Sequence, residues 1–244
     1  MDELLSKKRP IQFIGYASGI ASQDADSESG PLVFQKSELL NQLKHPWNWV
    51  DMLYPKDHKM GKEALPIVAE LCNRLAALTN QLAHQKELVA TIGGDHSCAI
   101  GTWSGIATAA PGPIGLLWID AHMDSHTPKT SPSQNIHGMP LAALLGFGPQ
   151  ELTQVYAPKV KLLPENLCLI GLRSFEEAEE SLLKNLGVKL YFMPEIQQRG
   201  LSVVMAEALE IINQHTVGYG ISIDIDAIDP IDAPAVTTHE VQGL

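Results

Sequence analysis

Short apolar runs alternate along the chain with segments whose apolar residues recur every three to four positions. Ile11–Tyr16, Leu88–Ile92, Ile114–Ile119, Leu167–Leu172, Lys189–Met193 and Val217–Ile225 read as strands. The run Ile114–Ile119 is apolar on both faces, as a buried parallel sheet requires. Helical spacing covers Leu32–Leu43, a long segment 61–88, a segment from Ser97 onward, Gly138–Phe147, Glu176–Leu186 and Leu201–Asn213. Pro66 falls near the start of the long helix, where proline is tolerated. Between the first strand and first helix, Gly19–Pro31 is a polar loop rich in turn formers. The βαβα order predicts one α/β domain, a three-layer α/β/α stack on a central, mostly parallel sheet with right-handed crossovers. In such a sheet the site lies beyond the carboxyl ends of the strands.

Composition fits that picture. A chain of 244 residues with 45% hydrophobic content suits one large domain. Its formal net charge of −11 disfavours nucleic acid and anionic lipid and tolerates a cationic substrate, although solubility alone also accounts for it. Cys72, Cys98 and Cys168 are scattered, odd in number and without CxxC spacing, which argues against disulfides or a thiolate metal site and for a reducing compartment. The first ten residues lack an apolar leader core, and no apolar run approaches the ~18 residues of a membrane span. A cytoplasmic location is expected.

Three polar clusters follow directly on apolar strands: Gly93–Ser97 (GGDHS), Asp120–His126 (DAHMDSH) and Asp224–Pro230 (DIDAIDP). Alternate residues of an extended chain point the same way, about 6.6 Å apart. Asp120, His122 and Asp124 can therefore converge, as can Asp224 and Asp226, with His96 supplied by the first cluster. Four carboxylates and two imidazoles exceed the needs of one tetrahedral ion and suit two ions sharing carboxylates. Oxygen-rich ligation with imidazole favours manganese over a zinc–thiolate site. Each cluster also has a plainer reading: Asp95 or Ser97 can cap a helix, and DIDAIDP can form a turn with Asx caps. DAHMDSH resists that reading, because buried aspartates behind an apolar strand are costly without a cation.

GGDHS, DAHMD and SIDID resemble, in order and strand context, the three signature segments of the ureohydrolase family of arginase, agmatinase and formimidoylglutamase. The likeness is nearest to bacterial-type arginases. The resemblance implies two Mn²⁺ per subunit: one on His96, Asp120, Asp124 and Asp224, the other on His122, Asp120, Asp224 and Asp226, with Asp120 and Asp224 bridging. A water activated between the ions would attack the guanidinium carbon of L-arginine and give urea and L-ornithine. The stretch Thr127–Pro140 resembles the arginase loop that grips the amino-acid end of the substrate. By that match Ser131, Ser133 and Asn135 would contact the carboxylate. His137 would be the proton shuttle to the leaving amine, grouped with Asp124 as catalytic; a loop-to-helix cap is its plainer role. Glu176 would bind the α-amino group or simply stabilise the first helical turn, Glu179 matches a nearby acid, and Thr238 lines up with a threonine near the substrate.

There are departures from the pattern. His126 stands where arginases usually carry an asparagine that touches the substrate carboxylate and is expected to contact the substrate as a hydrogen-bond donor in its place, Gln134 replaces a usual glycine, and Thr-Gly-Thr-Pro is here the segment Val236–Glu240. The family continues past the equivalent of Leu244 through a helix and strand that supply a glutamate for the guanidinium. The expectation is one domain over 1–244 short of that helix and strand, with an exposed sheet edge. Alternative functions are a hydrolase of formimidoylglutamate or agmatine, or a metal-binding but inactive family member; agmatine has no carboxylate for the loop to bind. A deacetylase on the same sheet fits poorly, since its single zinc uses a different ligand set. The resemblance also implies a homo-oligomer, trimer or hexamer, acting on a small guanidino substrate.

Overall fold

The structure is a computed structural model and describes residues 9–22 and 24–244; the segment 1–8, which bears on a leader sequence, lies outside them. Seven strands are described: β1 (Ile11–Tyr16), β2 (Trp47–Leu53), β3 (Leu88–Gly93), β4 (Gly115–Ile119), β5 (Leu167–Leu172), β6 (Lys189–Phe192) and β7 (Tyr219–Ile223). Every pairing among them is parallel. The helices are α1 (Gly30–Gln35), α2 (Glu38–Asn41), α3 (Leu65–His84), α4 (Cys98–Ala109), α5 (Pro140–Leu144), α6 (Gln150–Thr153), α7 (Glu177–Leu186), α8 (Met193–Arg199) and α9 (Leu201–Asn213). None is long and apolar enough to cross a membrane among the described residues.

The twofold alternation of strand side chains sends neighbours to opposite layers. Leu116 and Trp118 of β4 pack with Trp103 of α4, Leu141 of α5 and Leu183 of α7. Leu117, between them, packs with Ile196 of α8 and Val204, Ala208 and Ile212 of α9. In the first half, Ile14 and Tyr16 of β1 meet Leu71 and Leu75 of α3 and Ile100 of α4. The buried stripe of α3 runs Val68, Leu71, Cys72, Leu75, Ala76, Thr79, Leu82, the three-four spacing of one helix face. Each such fully buried large apolar side chain stabilises the fold by about 1.5–3 kcal/mol relative to exposure.

The α/β architecture with helices on both faces is as expected, but the ladder is not continuous. The strands form two sets, β2-β1-β3 and β6-β5-β4-β7, so β3 and β7 are each the edge of a set. On one face of β7, Tyr219, Ile221 and Ile223 are about half exposed.

Elements differ from the pattern where local chemistry intervenes. The expected helix 32–43 is two short ones, because Ser37 leaves helical geometry and its hydroxyl accepts from Leu39 N, capping α2. The long helix is confined to Leu65–His84, preceded by a 3-10 turn and followed by Lys86 at φ 59°. The helix expected over 138–147 is reduced to Pro140–Leu144, with Gly146 at φ 91° just beyond it. Strand β2 and helix α8 were not anticipated. The former presents partly exposed tryptophans with no clear alternation, and the latter starts at Met193-Pro194 immediately behind β6.

Candidate active site

All three polar clusters meet at the carboxyl ends of β3, β4 and β7. The turn Gly93–Ser97 carries the chain from β3 into α4. Gly94 is required there: a Cβ would stand 2.4 Å from Ser18 O and 2.6 Å from Ser27 O. Helix α4 follows Ser97 without a side-chain cap; Asp95 instead braces the turn before it, accepting from Ser97 N (3.0 Å), Ser97 Oγ (2.5 Å) and Ala21 N (3.3 Å). His96 is thereby left to face the strand ends.

His96 Nδ1 lies 2.9 Å from Asp124 Oδ2 and 3.2 Å from both Asp120 Oδ2 and Asp224 Oδ2. His122 Nδ1 lies 3.1 Å from Asp226 Oδ2 and 3.5 Å from Asp120 Oδ1. Asp120 thus offers one oxygen to each imidazole. Ligand-type atoms of His96, Asp120 and Asp124 fall within 4.8 Å of one another, and so do those of Asp120, His122 and Asp226. Asp224 stands with the His96 group; it also caps the 3-10 turn after it, accepting from Asp226 N at 3.2 Å. The Asx-cap reading and convergence on the cluster therefore hold together for that residue.

The backbone is bent to make this convergence. Asp124 sits at φ 47°, a left-handed conformation that aspartate tolerates better than most residues. Gly171, at φ 105°, marks the register shift in β5 and lets the backbone of Asp120 approach; a Cβ there would lie 2.8 Å from Asp120 O.

The electrostatics describe a site built for cations. Burial, then the Asp120 charge, pushes Asp124 up to about 8. Burial and nearby carboxylates likewise push Asp226 to about 6, against the pull of His122. Burial also pushes Asp120 up, but the close contacts and charges of His122 and His96 outweigh it and hold this carboxyl well below its usual range. Both imidazoles are raised by the surrounding aspartates despite burial, His122 to about 11. His96 Nδ1 is buried without a hydrogen bond of acceptable geometry although three carboxylates stand around it. A buried ring nitrogen without a hydrogen bond, clustered carboxylates and two imidazoles fit divalent ions, whose charge resolves the repulsion that otherwise forces protons onto the acids.

Three further residues support the cluster, of which Ser222 is the first of the SIDID segment and the other two lie outside the three signature segments. Trp118 stacks on His96 (centroids 4.2 Å apart, planes 20° apart) and its indole N–H donates to Asp120 Oδ2 at 2.9 Å. Ser222 Oγ lies 3.0 Å from His96 Nε2. Arg173 ties down the segment after β7. The available signal was period two: Trp118 precedes Asp120, and Ser222 precedes Asp224, by two positions on extended chain.

Beside the cluster, His126 Nε2 lies 2.9 Å from Glu176 Oε2 and 3.2 Å from Glu179 Oε2, and Nδ1 is 3.2 Å from Thr130 Oγ1. Glu176 is the N-cap of α7 in a capping box with Glu179. Glu179 also accepts from Ser125 N at 3.0 Å and is pushed to about 7 by burial. Glu176 is held lower by its hydrogen bond with Glu179 and by His126. In the loop, buried Ser131 accepts from Gln134 N (2.9 Å) and exposed Ser133 from Asn135 N (3.2 Å), while Asn135 Nδ2 reaches Ser22 O (3.4 Å). Gln134, where the family loop has glycine, adopts φ 61°, and its amide donates to Pro128 O and Ser131 O. His137 is mostly buried, which lowers it below the usual imidazole value against the pull of Asp224. Thr238 is half-buried on the bend before Glu240.

Comparison with known proteins bears directly on this arrangement. The family model described as Arginase family matches residues 9–244. The arginase of Bacillus caldovelox is 37% identical, over 97% of this chain and 82% of the relative, and that of Bacillus subtilis 36%, over 97% and 81%. The solved arginase of B. caldovelox superposes with a TM-score of 0.90 at 36% identity, covering 97% of this chain and 82% of that one. A formimidoylglutamase structure from B. subtilis, 20% identical with a TM-score of 0.76 over 97% of this chain and 71% of that one, shares the fold. With the three clusters converging on one point of a fold shared with those enzymes, the chain belongs to the arginase family.

Proposed function

We propose that this chain hydrolyses the guanidinium group of L-arginine to urea and L-ornithine, using two Mn²⁺ per subunit. The observation that carries the reading is Asp120, shared by two imidazole–carboxylate groups at the end of β4. His96, Asp120, Asp124 and Asp224 would hold one ion, and His122, Asp120, Asp224 and Asp226 the other. Such a pair brings a bound water's pKa near neutrality and stabilises the charge that develops on the substrate.

The remaining roles belong to the chain's own groups. His137, whose burial lowers it below the usual imidazole value, is the group suited to move a proton to the departing amine nitrogen. The loop 127–140 holds the amino-acid end through Ser131, Ser133 and Asn135, neutral donors that bind a carboxylate without adding charge. Glu176 would bind the α-ammonium, His126 pairs with Glu176 beside the loop, and Thr238 would stand near the substrate by its match to the family. A reducing cytoplasmic setting agrees with three unpaired cysteines, and a homo-trimer or hexamer follows from the family likeness.

The test is a urea assay on Mn²⁺-loaded protein with arginine, agmatine and formimidoylglutamate, run beside a metal analysis. Preferential turnover of arginine with two ions bound is expected. Turnover of another of these compounds in preference would overturn the substrate; two bound ions and no turnover would leave a metal-binding family member without activity.

A further inference from the structure

The two cluster imidazoles are oriented alike and supported differently. Each turns Nδ1 toward the shared carboxylates and Nε2 outward. His96 Nε2 meets a neutral hydroxyl, Ser222 Oγ, at 3.0 Å. His122 Nε2 meets a carboxylate, Glu240 Oε1, at 3.6 Å. We infer that Glu240 is a positioning residue for the His122 pocket, its carboxylate beside Nε2 holding the imidazole in the orientation that presents Nδ1 to an ion.

The partner of the outward nitrogen fixes which ring nitrogen carries the proton, and a carboxylate there strengthens the imidazole as a ligand more than a hydroxyl does. At 3.6 Å the contact is ion-pair distance rather than a hydrogen bond, and Glu240 is about 29% exposed on its side chain, so its charge acts from the rim of the site. Its backbone is nonetheless fixed. Arg173 Nη2 donates to Glu240 O at 2.8 Å and Nε to Val241 O at 3.1 Å. The same guanidinium donates to Asp226 O at 2.6 Å, so it ties Glu240 to a carboxylate-bearing residue of the same pocket. Glu240 falls in the segment Val236–Glu240, where this chain departs from the arginase pattern. The sequence alone gave it no role.

This inference rests on the reading of His122 as a metal ligand. The test is calorimetric titration of metal-free protein with Mn²⁺, for wild type, Glu240→Gln and Glu240→Ala. The wild type should bind two ions in resolvable classes. Glu240→Ala should weaken one class by about 10–100-fold and leave the other unchanged. Glu240→Gln, which keeps an acceptor and loses the charge, should fall between. KM for arginine at saturating Mn²⁺ should stay at the wild-type value. Thermal unfolding of the metal-free variants should match wild type, because Arg173 grips the backbone of Glu240 and not its side chain.

Two classes unchanged in both variants would overturn the role of Glu240 while leaving the two-ion reading intact. A raised KM with unchanged Mn²⁺ binding would overturn it too, placing Glu240 on the substrate. A wild type that binds fewer than two ions would overturn the underlying reading and this inference with it.

Discussion

The pockets around His96 and His122 are made from the same residue types and rest on different foundations. The His96 side chain is 6% exposed, stacked on Trp118, ringed by three carboxylates and backed by a hydroxyl. The His122 side chain is 25% exposed, has two carboxylates and is backed by Glu240 from an irregular segment. The first is assembled from residues at the ends of β3, β4 and β7 that core packing already fixes. The second depends on 225–244, which Arg173 fastens through carbonyls. Side chains on packed elements hold geometry better than those on loops, so the His122 pocket is the one expected to loosen first.

The largest effect tests what the pockets share. Asp120 is buried and gives one oxygen to each imidazole. Asp120→Asn keeps its shape and removes the common charge, so both ions should be lost and activity should fall on the order of 10³-fold or more, the scale of the charge stabilisation ascribed to such ions. Asp124→Asn and Asp226→Asn should each cost one ion, from the His96 and His122 pockets respectively. Metal analysis of the three purified variants checks this. An Asp120→Asn protein that keeps two ions would break the idea of a shared carboxylate.

The next effect separates the foundations. Arg173 donates to the carbonyls of Gly171, Ala227, Asp226, Glu240 and Val241. Arg173→Met removes a donor from each of those carbonyls, of which Ala227 O keeps the backbone bond from Leu244 N, and should cost about 2–3 kcal/mol in denaturant unfolding. Hydrogen exchange should rise across 225–244 and stay unchanged at β4 and α4. Uniform acceleration through the whole sheet would mean that the tail is integral to the core and that the contrast between the pockets is wrong.

The contrast also separates what was legible in sequence from what was not. The ligand-type residues of both pockets could be read because they follow apolar strands at alternate positions, Asp120, His122 and Asp124 after one strand and Asp224 and Asp226 after another; the supports of the His122 pocket could not. The strands β1, β3, β4 and β5 were legible because their runs are predominantly apolar, broken only by Gln12 in β1 and Thr91 in β3. Strand β2 was not, because Trp47, Trp49 and Asp51 sit in a partly exposed strand with no apolar alternation. The division of the strands into β2-β1-β3 and β6-β5-β4-β7 is a matter of long-range pairing that no local pattern encodes, although the family resemblance led to the expectation of an exposed sheet edge. Glu240 and Arg173 meet across 67 residues, and nothing in Arg173-Ser174-Phe175-Glu176 announces that the guanidinium turns to backbone carbonyls. Gln134 is a milder case: its φ of 61° explains why the family places glycine there, and its two amide hydrogen bonds show how glutamine is accommodated.

The smallest effect concerns Trp118, which touches both pockets by different means. Its ring stacks on His96 alone, whereas its N–H reaches Asp120, which serves both. Trp118→Phe keeps an aromatic face and removes the donor. Through the shared carboxylate it should weaken both Mn²⁺ classes by a similar factor, about tenfold at the lower end of the range for such supporting contacts. Trp118→Leu removes the face as well. Its additional loss should fall on the class assigned to His96, so the ratio of the two affinities should move in this variant and stay constant in the first. Because Trp118 is fully buried, the leucine also leaves a cavity and should destabilise the fold by a few kcal/mol, which unfolding curves would register separately from the affinity ratio. If the ratio moved equally in both variants, the stacking would contribute nothing particular to His96. The difference between the pockets would then lie in exposure and in the charge of Glu240 rather than in the packing beneath them.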